Sequence, residues 1–175
     1  NHPVSHLLAG VLAAHDRARF ETYAFAFRRS DDAWKRKIET AVDHFIDLDS
    51  VSFARTVTIA REARLDVAVD LNGYTKAART PIFAARVAPI QVAYLGYLGT
   101  MGADYIDYLI ADDVIIPPQL RAYYSEEIVY LPWYQCNDAD ANAPGDAPSR
   151  RECHLPEDAF VFCSFNNSYK ITPHM

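Results

Sequence analysis

The sequence predicts an α/β fold in which a parallel β-sheet carries helices on its faces. Two regular hydrophobic rhythms alternate along the chain, one of period 2 and one near 3.6, and that alternation is the mark of successive strand–helix units. The composition agrees: half of the 175 residues are hydrophobic and 23% are charged, as in ordinary globular α/β proteins. Polar segments rich in Gly and Asn also follow several predicted strands, where a parallel sheet collects its ligands.

The elements follow in order. Val4, Leu7, Leu8, Val11 and Leu12 recur at helical spacing, and Pro3 suits the first turn of that helix. "FETYAFAF" (20–27) alternates as a strand. "SDDAWKRKIETAV" opens with Ser30 as N-cap candidate and two acids in its first turn, so a helix follows. "HFIDL" reads as a short strand, "SVSFARTVTIAREARL" as an amphipathic helix and "LDVAVDL" (65–71) as a strand. A short helix at "RTPIFAARV", strands at "IQVAYLGY" and "YIDYLIAD", a helical turn over 117–124 and a strand at "EEIVYLP" complete the pattern. From 137 to 151, "NDADANAPGDAPSRR" loses the hydrophobic rhythm and reads as a linker or exposed loop. A strong strand, 159–165, restarts after it, and Thr172 and Pro173 suit the N-cap and first residue of a further helix.

Several function classes are disfavoured. A formal net charge of -6 argues against a nucleic-acid binder, although it leaves room for a local cationic pocket. No apolar run approaches the roughly 20 residues of a membrane span. The start lacks both an initiator Met and the basic region of a signal peptide, so the chain is expected to lie within a longer gene product. Cys136, Cys153 and Cys163, three in number and without metal-type spacing, read as reduced thiols of a cytoplasmic protein.

Three segments sit where strands end: "NGYTK" (72–76), "GYLGTMG" (96–102) and "NNSYK" (166–170). Each has a plain structural reading. Asn72-Gly73 is a common turn pair, the glycines of the second segment can serve positive φ or tight packing, and Lys170 can be a solvated charge. None spells a dinucleotide fingerprint or a P-loop. Lys170 nevertheless directly precedes a helix start, where backbone N–H groups and an ammonium can hold one anion such as a diphosphate. His2, at another predicted helix start, either caps that helix or acts as acid, base or hydrogen-bond donor.

The stretches "NHPVSHLL", "DHFIDL", "VDLNGYTKAARTPIFAARVAPIQVAYLGYLGTMGADYIDYLIAD", "YYSEEIVYLP" and "LPEDAFVFCSFNNSYKITP" together resemble the catalytic region of the O-linked N-acetylglucosaminyltransferase family, which includes bacterial homologues and SPINDLY-related enzymes. The resemblance implies a GT-B architecture of two Rossmann-like lobes. Residues 1–136 would form the amino-terminal lobe, 137–153 a linker, and 154–175 the start of an incomplete carboxy-terminal nucleotide-binding lobe, with its first strand. It implies inverting, metal-independent transfer of N-acetylglucosamine from UDP-GlcNAc to protein Ser or Thr hydroxyls. No cofactor is expected beyond the donor. The expected partners are protein acceptors, the rest of the second lobe and upstream tetratricopeptide repeats, with no nucleic acid and no membrane.

By position, the resemblance implies that His2 lies near sugar and acceptor with Asn1 beside it, and that Lys170 neutralises the UDP diphosphate, flanked by Asn167 and Tyr169. Thr75, Lys76, Leu95 and Gly96 match the side of the cleft that meets the sugar. Two departures stand out: Leu98 occupies the proline position of the family's "LGYPGT", which implies a less rigid loop, and Val4 stands where eukaryotic members have threonine. The alternatives are a SPINDLY-like O-fucosyltransferase using GDP-fucose and a non-catalytic binding module with a degenerate site.

Overall fold

The computed structural model describes residues 3–135 and 145–165. The chain divides into two compact units, 1–138 and 139–175. In the first, α1 (Pro3–Ala13), β1 (Tyr23–Ala26), α2 (Ala33–Ala41), β2 (His44–Asp47), α3 (Phe53–Glu62), β3 (Val67–Asp70), α4 (Thr80–Ala84), β4 (Ile90–Ala93), β5 (Tyr108–Ala111), a 3₁₀ helix (Pro118–Tyr123) and β6 (Glu127–Tyr130) follow one another. Every predicted element of this unit is present.

All strand pairs are parallel, but they form two sheets. One has the order β1-β2 and the other β3-β4-β5-β6. Strands β4 and β5 are shorter than their hydrophobic runs because the chain turns sharply just beyond Ala93, and because Tyr105 and Ile106 belong to the loop that precedes β5.

Local chemistry sets the helix boundaries. Asp32, not Ser30, caps α2: its carboxylate accepts the Lys35 N–H at 2.9 Å, the bond that an N-cap supplies to an orphan first-turn amide. Ser52 caps α3 in the same way through Arg55 N–H. In α3, Thr56, Val57 and Ala60 form the buried stripe.

Beneath α3 and α4, Val57, Ala60, Ala68, Ile82, Val87 and Ala88 form one core, with Phe25 and Phe27 packed against it. A second core joins Ala93, Leu109, Ala111 and Ile128 of the strands with Met101, Ile106 and Ile116 of the loops. Gln91, fully buried on β4, is satisfied on three sides. Its Nε2 donates to the carbonyls of Phe83 (2.8 Å) and Tyr105 (2.6 Å), and its Oε1 accepts Val87 N–H (3.0 Å). A buried amide costs little only when it is paired like this, so Gln91 fixes β4 against both flanking loops.

In the second unit, residues 145–165 are described. The segment expected to be linker contains a helical turn held by a reciprocal cap. Ser149 N–H and Oγ donate to Glu152 Oε2 at 2.8 and 2.7 Å, and Glu152 N–H returns to Ser149 Oγ at 3.3 Å. "SRRE" carries the S-x-x-E signature of a capping box, a signal outweighed in the sequence by the surrounding Pro, Gly and Asp. The predicted strand 159–165 forms no ladder among the described residues. Its Phe160, Phe162 and Phe165 are exposed. A hydrophobic alternation marks a segment fit for a sheet, but strand structure needs a hydrogen-bonding neighbour.

Candidate functional site

The carboxyl ends of β3 and β4 lie side by side and carry two interlocked turns. At the end of β3, Asp70 is 5% exposed, and its Oδ1 accepts the N–H groups of Asn72 (2.9 Å) and Gly73 (3.0 Å). This side-chain turn lets the chain reverse at once after a strand. Thr75 Oγ1 then donates to Asn72 C=O at 2.8 Å, Ala78 N–H to Thr75 C=O at 3.2 Å, and Asn72 Nδ2 to Lys76 C=O at 3.4 Å. The turn is closed by its own polar groups, leaving the Thr75 and Lys76 side chains exposed. Asp70 Oδ2 is buried without a hydrogen-bond partner among the described residues.

Beyond β4 the backbone folds back over a single residue. Leu95 has φ +72°, and Gly96 N–H donates to Tyr94 C=O at 2.9 Å. That is a classic-type γ-turn, rare and strained for a residue with a side chain. The strain is held by packing. The Leu95 side chain is buried with Tyr94 and Tyr134, and Val4, Leu7 and Leu8 of α1 pack against that cluster together with Leu71. Tyr94 Oη donates to Tyr134 C=O at 2.8 Å, and Tyr134 N–H donates to Asp112 Oδ2 at 2.9 Å. Burial pushes the Tyr134 phenol well above its usual range, opposed only in part by the Leu95 backbone amide, so it stays neutral.

The two turns touch through glycine. A Cβ on Gly96 would lie 2.1 Å from the Leu71 carbonyl oxygen, and one on Gly73, at φ +52°, would lie 2.4 Å from Tyr97 Cβ. Only glycine allows this approach at either position. The loop from 97 to 102 is tied down by neighbouring side chains. Tyr74 Oη donates to Met101 C=O (2.9 Å) and Tyr124 Oη to Leu98 C=O (3.2 Å). The buried carboxylate of Glu126 accepts Met101 N–H on Oε1 (2.6 Å) and Thr100 Oγ1 on Oε2 (2.8 Å). Leu98, standing where a proline was expected to matter, is an exposed loop tip whose backbone is fastened on both sides.

Of the residues singled out in the sequence, Thr75, Lys76, Leu95 and Gly96 belong to this pair of turns. Leu95 contributes a strained peptide group, because its side chain belongs to the core. Asn1, His2, Asn167, Tyr169 and Lys170, with Thr172 and Pro173, lie outside the described residues. Asp70, Tyr97, Glu126 and Tyr134 were not singled out. The D-x-N-G spacing at 70–73 signals the Asx turn of Asp70, whereas nothing local to Glu126 or Tyr134 shows that each reaches another loop.

A separate open cleft of about 520 Å³ lies at the amino ends of β5 and β6, lined by Gly102, Asp104, Asp107, Tyr108, Ser125 and Glu127 among others. Two of its carboxylates are already paired: Asp107 with Arg86 at 2.7 Å and Glu127 with Arg121. Ligands of parallel sheets gather at carboxyl ends, so the paired turns are the stronger candidate. Among the described residues no group of three or more His, Cys, Asp or Glu could hold a metal ion. No helix among them is long and apolar enough to cross a membrane.

Residues 1–140 match the sequence profile of glycosyl transferase family 41. The chain is 39% identical over its full length to a probable UDP-N-acetylglucosamine–peptide N-acetylglucosaminyltransferase, SEC, of Arabidopsis thaliana, spanning 19% of that protein. It is 38% identical over 75% of its length to a UDP-N-acetylglucosamine–peptide N-acetylglucosaminyltransferase of Caenorhabditis elegans, spanning 12% of it. Its fold superposes on a solved mutant of Thermobaculum terrenum O-GlcNAc transferase with a TM-score of 0.75 and 32% identity, covering 85% of this chain and 28% of that one. The chain therefore spans about a fifth of the length of the first of these relatives.

Proposed function

This chain belongs to glycosyl transferase family 41, and from that premise we propose that the protein carrying it transfers N-acetylglucosamine from UDP-GlcNAc to Ser or Thr hydroxyls of proteins. The observation that carries the reading is the meeting of the 72–76 turn with the Leu95–Gly96 γ-turn at adjacent strand ends. A ligand wall built from backbone held in one strained geometry offers fixed dipoles, which stabilise developing charge without reorganising.

In this proposal the chain is the wall of a cleft whose other side comes from the second lobe. Residues 1–136 are the amino-terminal lobe and 154–175 the beginning of the other. Thr75, Lys76, Leu95 and Gly96 line the sugar, with Asn1 beside His2. His2 orients donor or acceptor. Lys170, flanked by Asn167 and Tyr169, neutralises the departing UDP. A lysine and helix-terminal N–H groups together can carry a diphosphate's charge without a metal, and backside attack by the acceptor hydroxyl would invert the anomeric carbon. No cofactor is needed besides the donor, and the enzyme works in the cytoplasm. Its remaining lobe and tetratricopeptide repeats belong to the same protein.

The test is steady-state glycosyl transfer by the full-length protein. Lys170→Ala should cut kcat at least 100-fold, the scale of losing one transition-state charge contact. Unchanged kinetics in that variant would overturn the assignment. Calorimetry with UDP and GDP separates this reading from a fucosyltransferase: tighter GDP binding favours GDP-fucose, and affinity for neither favours a non-catalytic module.

A further inference from the structure

We infer that Asp112, acting through Tyr134, is a positioning residue for glycosyl transfer: the pair holds the buried joint on which the turns proposed to line the sugar rest. The inference rests on the glycosyl-transfer reading and adds two residues that this reading does not use.

The joint is the small cluster behind the paired turns. Leu95 of the γ-turn is buried there with Tyr94 and Tyr134. Leu71, from which the 72–76 turn departs, packs against it, as do Val4, Leu7 and Leu8 of α1. That helix follows directly on His2 in the chain. The turn carrying Thr75 and Lys76, the turn carrying Leu95 and Gly96, and the helix after His2 therefore lean on one set of side chains.

Tyr134 reaches the joint from outside these elements. Leu131 N–H bonds Ala111 C=O at 2.8 Å beyond the end of β6, and the chain then leaves the sheet. Asp112, the first residue after β5, brings it back. Its Oδ2 accepts Tyr134 N–H at 2.9 Å, and its Oδ1 accepts the N–H groups of Ile115 (2.8 Å) and Val114 (3.2 Å). Tyr94 Oη donates to Tyr134 C=O at 2.8 Å, so the Tyr134 backbone is fixed from two directions. The two tyrosine rings meet edge to face, with centroids 5.5 Å apart. Tyr134 itself is only 2% exposed. Both oxygens of Asp112 are engaged by backbone amides, so this carboxylate acts by placing chain and not by touching a ligand.

The placement matters because Leu95 is strained. A residue with a side chain keeps φ +72° only while its surroundings over-determine it. Tyr134 is one of the two side chains buried with Leu95. If its backbone is released, Leu95 can relax towards an ordinary conformation, and the peptide groups on either side of it shift. A displacement of about 1 Å caused far from the chemistry can cost about 100-fold in rate. The loss falls on kcat more than on KM, because aligned dipoles count most where charge develops.

Asp112→Asn and Tyr94→Phe in the full-length protein test this. Each is close in size to the native side chain and removes one hydrogen bond to the Tyr134 backbone. Asp107→Asn is the matched control, just ahead of the opposite end of β5 and outside the paired turns. Steady-state release of UDP from UDP-GlcNAc is measured with a Ser- and Thr-rich peptide as acceptor. Both test variants should lose about 10–100-fold in kcat with the donor KM within about threefold of the parent, while the control keeps its kcat within about threefold. Hydrogen exchange of the Gly96 amide is followed on the same proteins. It should be at least about tenfold faster in both test variants and unchanged in the control. If Asp112→Asn does not fold, Tyr94→Phe decides alone. A Tyr94→Phe kcat within about threefold of the parent, an equal loss in Asp107→Asn, or unchanged Gly96 exchange overturns the proposal. A parent protein that releases no UDP from UDP-GlcNAc defeats the glycosyl-transfer reading instead, and the Gly96 exchange then still decides whether Asp112 and Tyr134 position the turn.

Discussion

Gly96→Ala is the sharpest probe of the paired turns. The added Cβ would sit 2.1 Å from Leu71 O, where ordinary contact begins near 3.4 Å, so backbone must move by about 1.3 Å (3.4 minus 2.1). Neither partner can yield cheaply. Leu71 is followed by the Asn72 and Gly73 amides bound to Asp70, and Gly96 N–H closes the γ-turn on Tyr94. Overpacking against fixed backbone costs about 3 kcal/mol. For a chain of this size that lowers the melting temperature by about 6–12 °C. Gly145→Ala is the control: no atom lies within 4 Å of its added Cβ, so it should be neutral or slightly stabilising through the unfolded state. The assay is thermal unfolding followed by circular dichroism on both variants and the parent. A Gly96→Ala protein melting within about 2 °C of the parent would refute the reasoning.

Glu126→Ala should destabilise by about 2 kcal/mol, since it strands the buried Met101 N–H and the Thr100 hydroxyl; urea unfolding measures it, and a change under 0.5 kcal/mol would speak against the clamp. Acidification should weaken the fold. The Asp107 carboxyl lies below its ordinary value, chiefly through its hydrogen bonds with Arg86, and that of Asp112 is lowered chiefly by the Ile115 amide. A depressed folded value contributes stability that is complete above the unfolded pKa of about 4 and is lost as pH falls through the folded value. Melting temperature should therefore decline below about pH 4, and less steeply in Asp107→Asn. The isolated chain should self-associate through Phe160, Phe162 and Phe165, which are 82%, 89% and 99% exposed; gel filtration of the triple Ser variant should shift it towards monomer, and an unshifted profile would place the contact elsewhere.

What could be read in advance was whatever depends on neighbours in the chain. The alternation in "LDVAVDL" marked β3 as a strand, and "SVSFARTVTIAREARL" marked α3 as an amphipathic helix. The "NGYTK" and "GYLGTMG" segments were visible as candidate ligand corners because glycine and asparagine have local conformational reasons to sit there. Their meaning was not visible. That Gly96 is required by Leu71 O, 25 positions earlier, follows only when β3 and β4 pair. Glu126 reads as a surface charge until the fold brings it under Met101, and nothing local to Leu95 shows that its side chain packs with Tyr134. The residues 159–165 show the same limit in reverse: their pattern is that of a strand, yet hydrogen bonds to a neighbouring strand are a property of two segments, and no single stretch of sequence contains them.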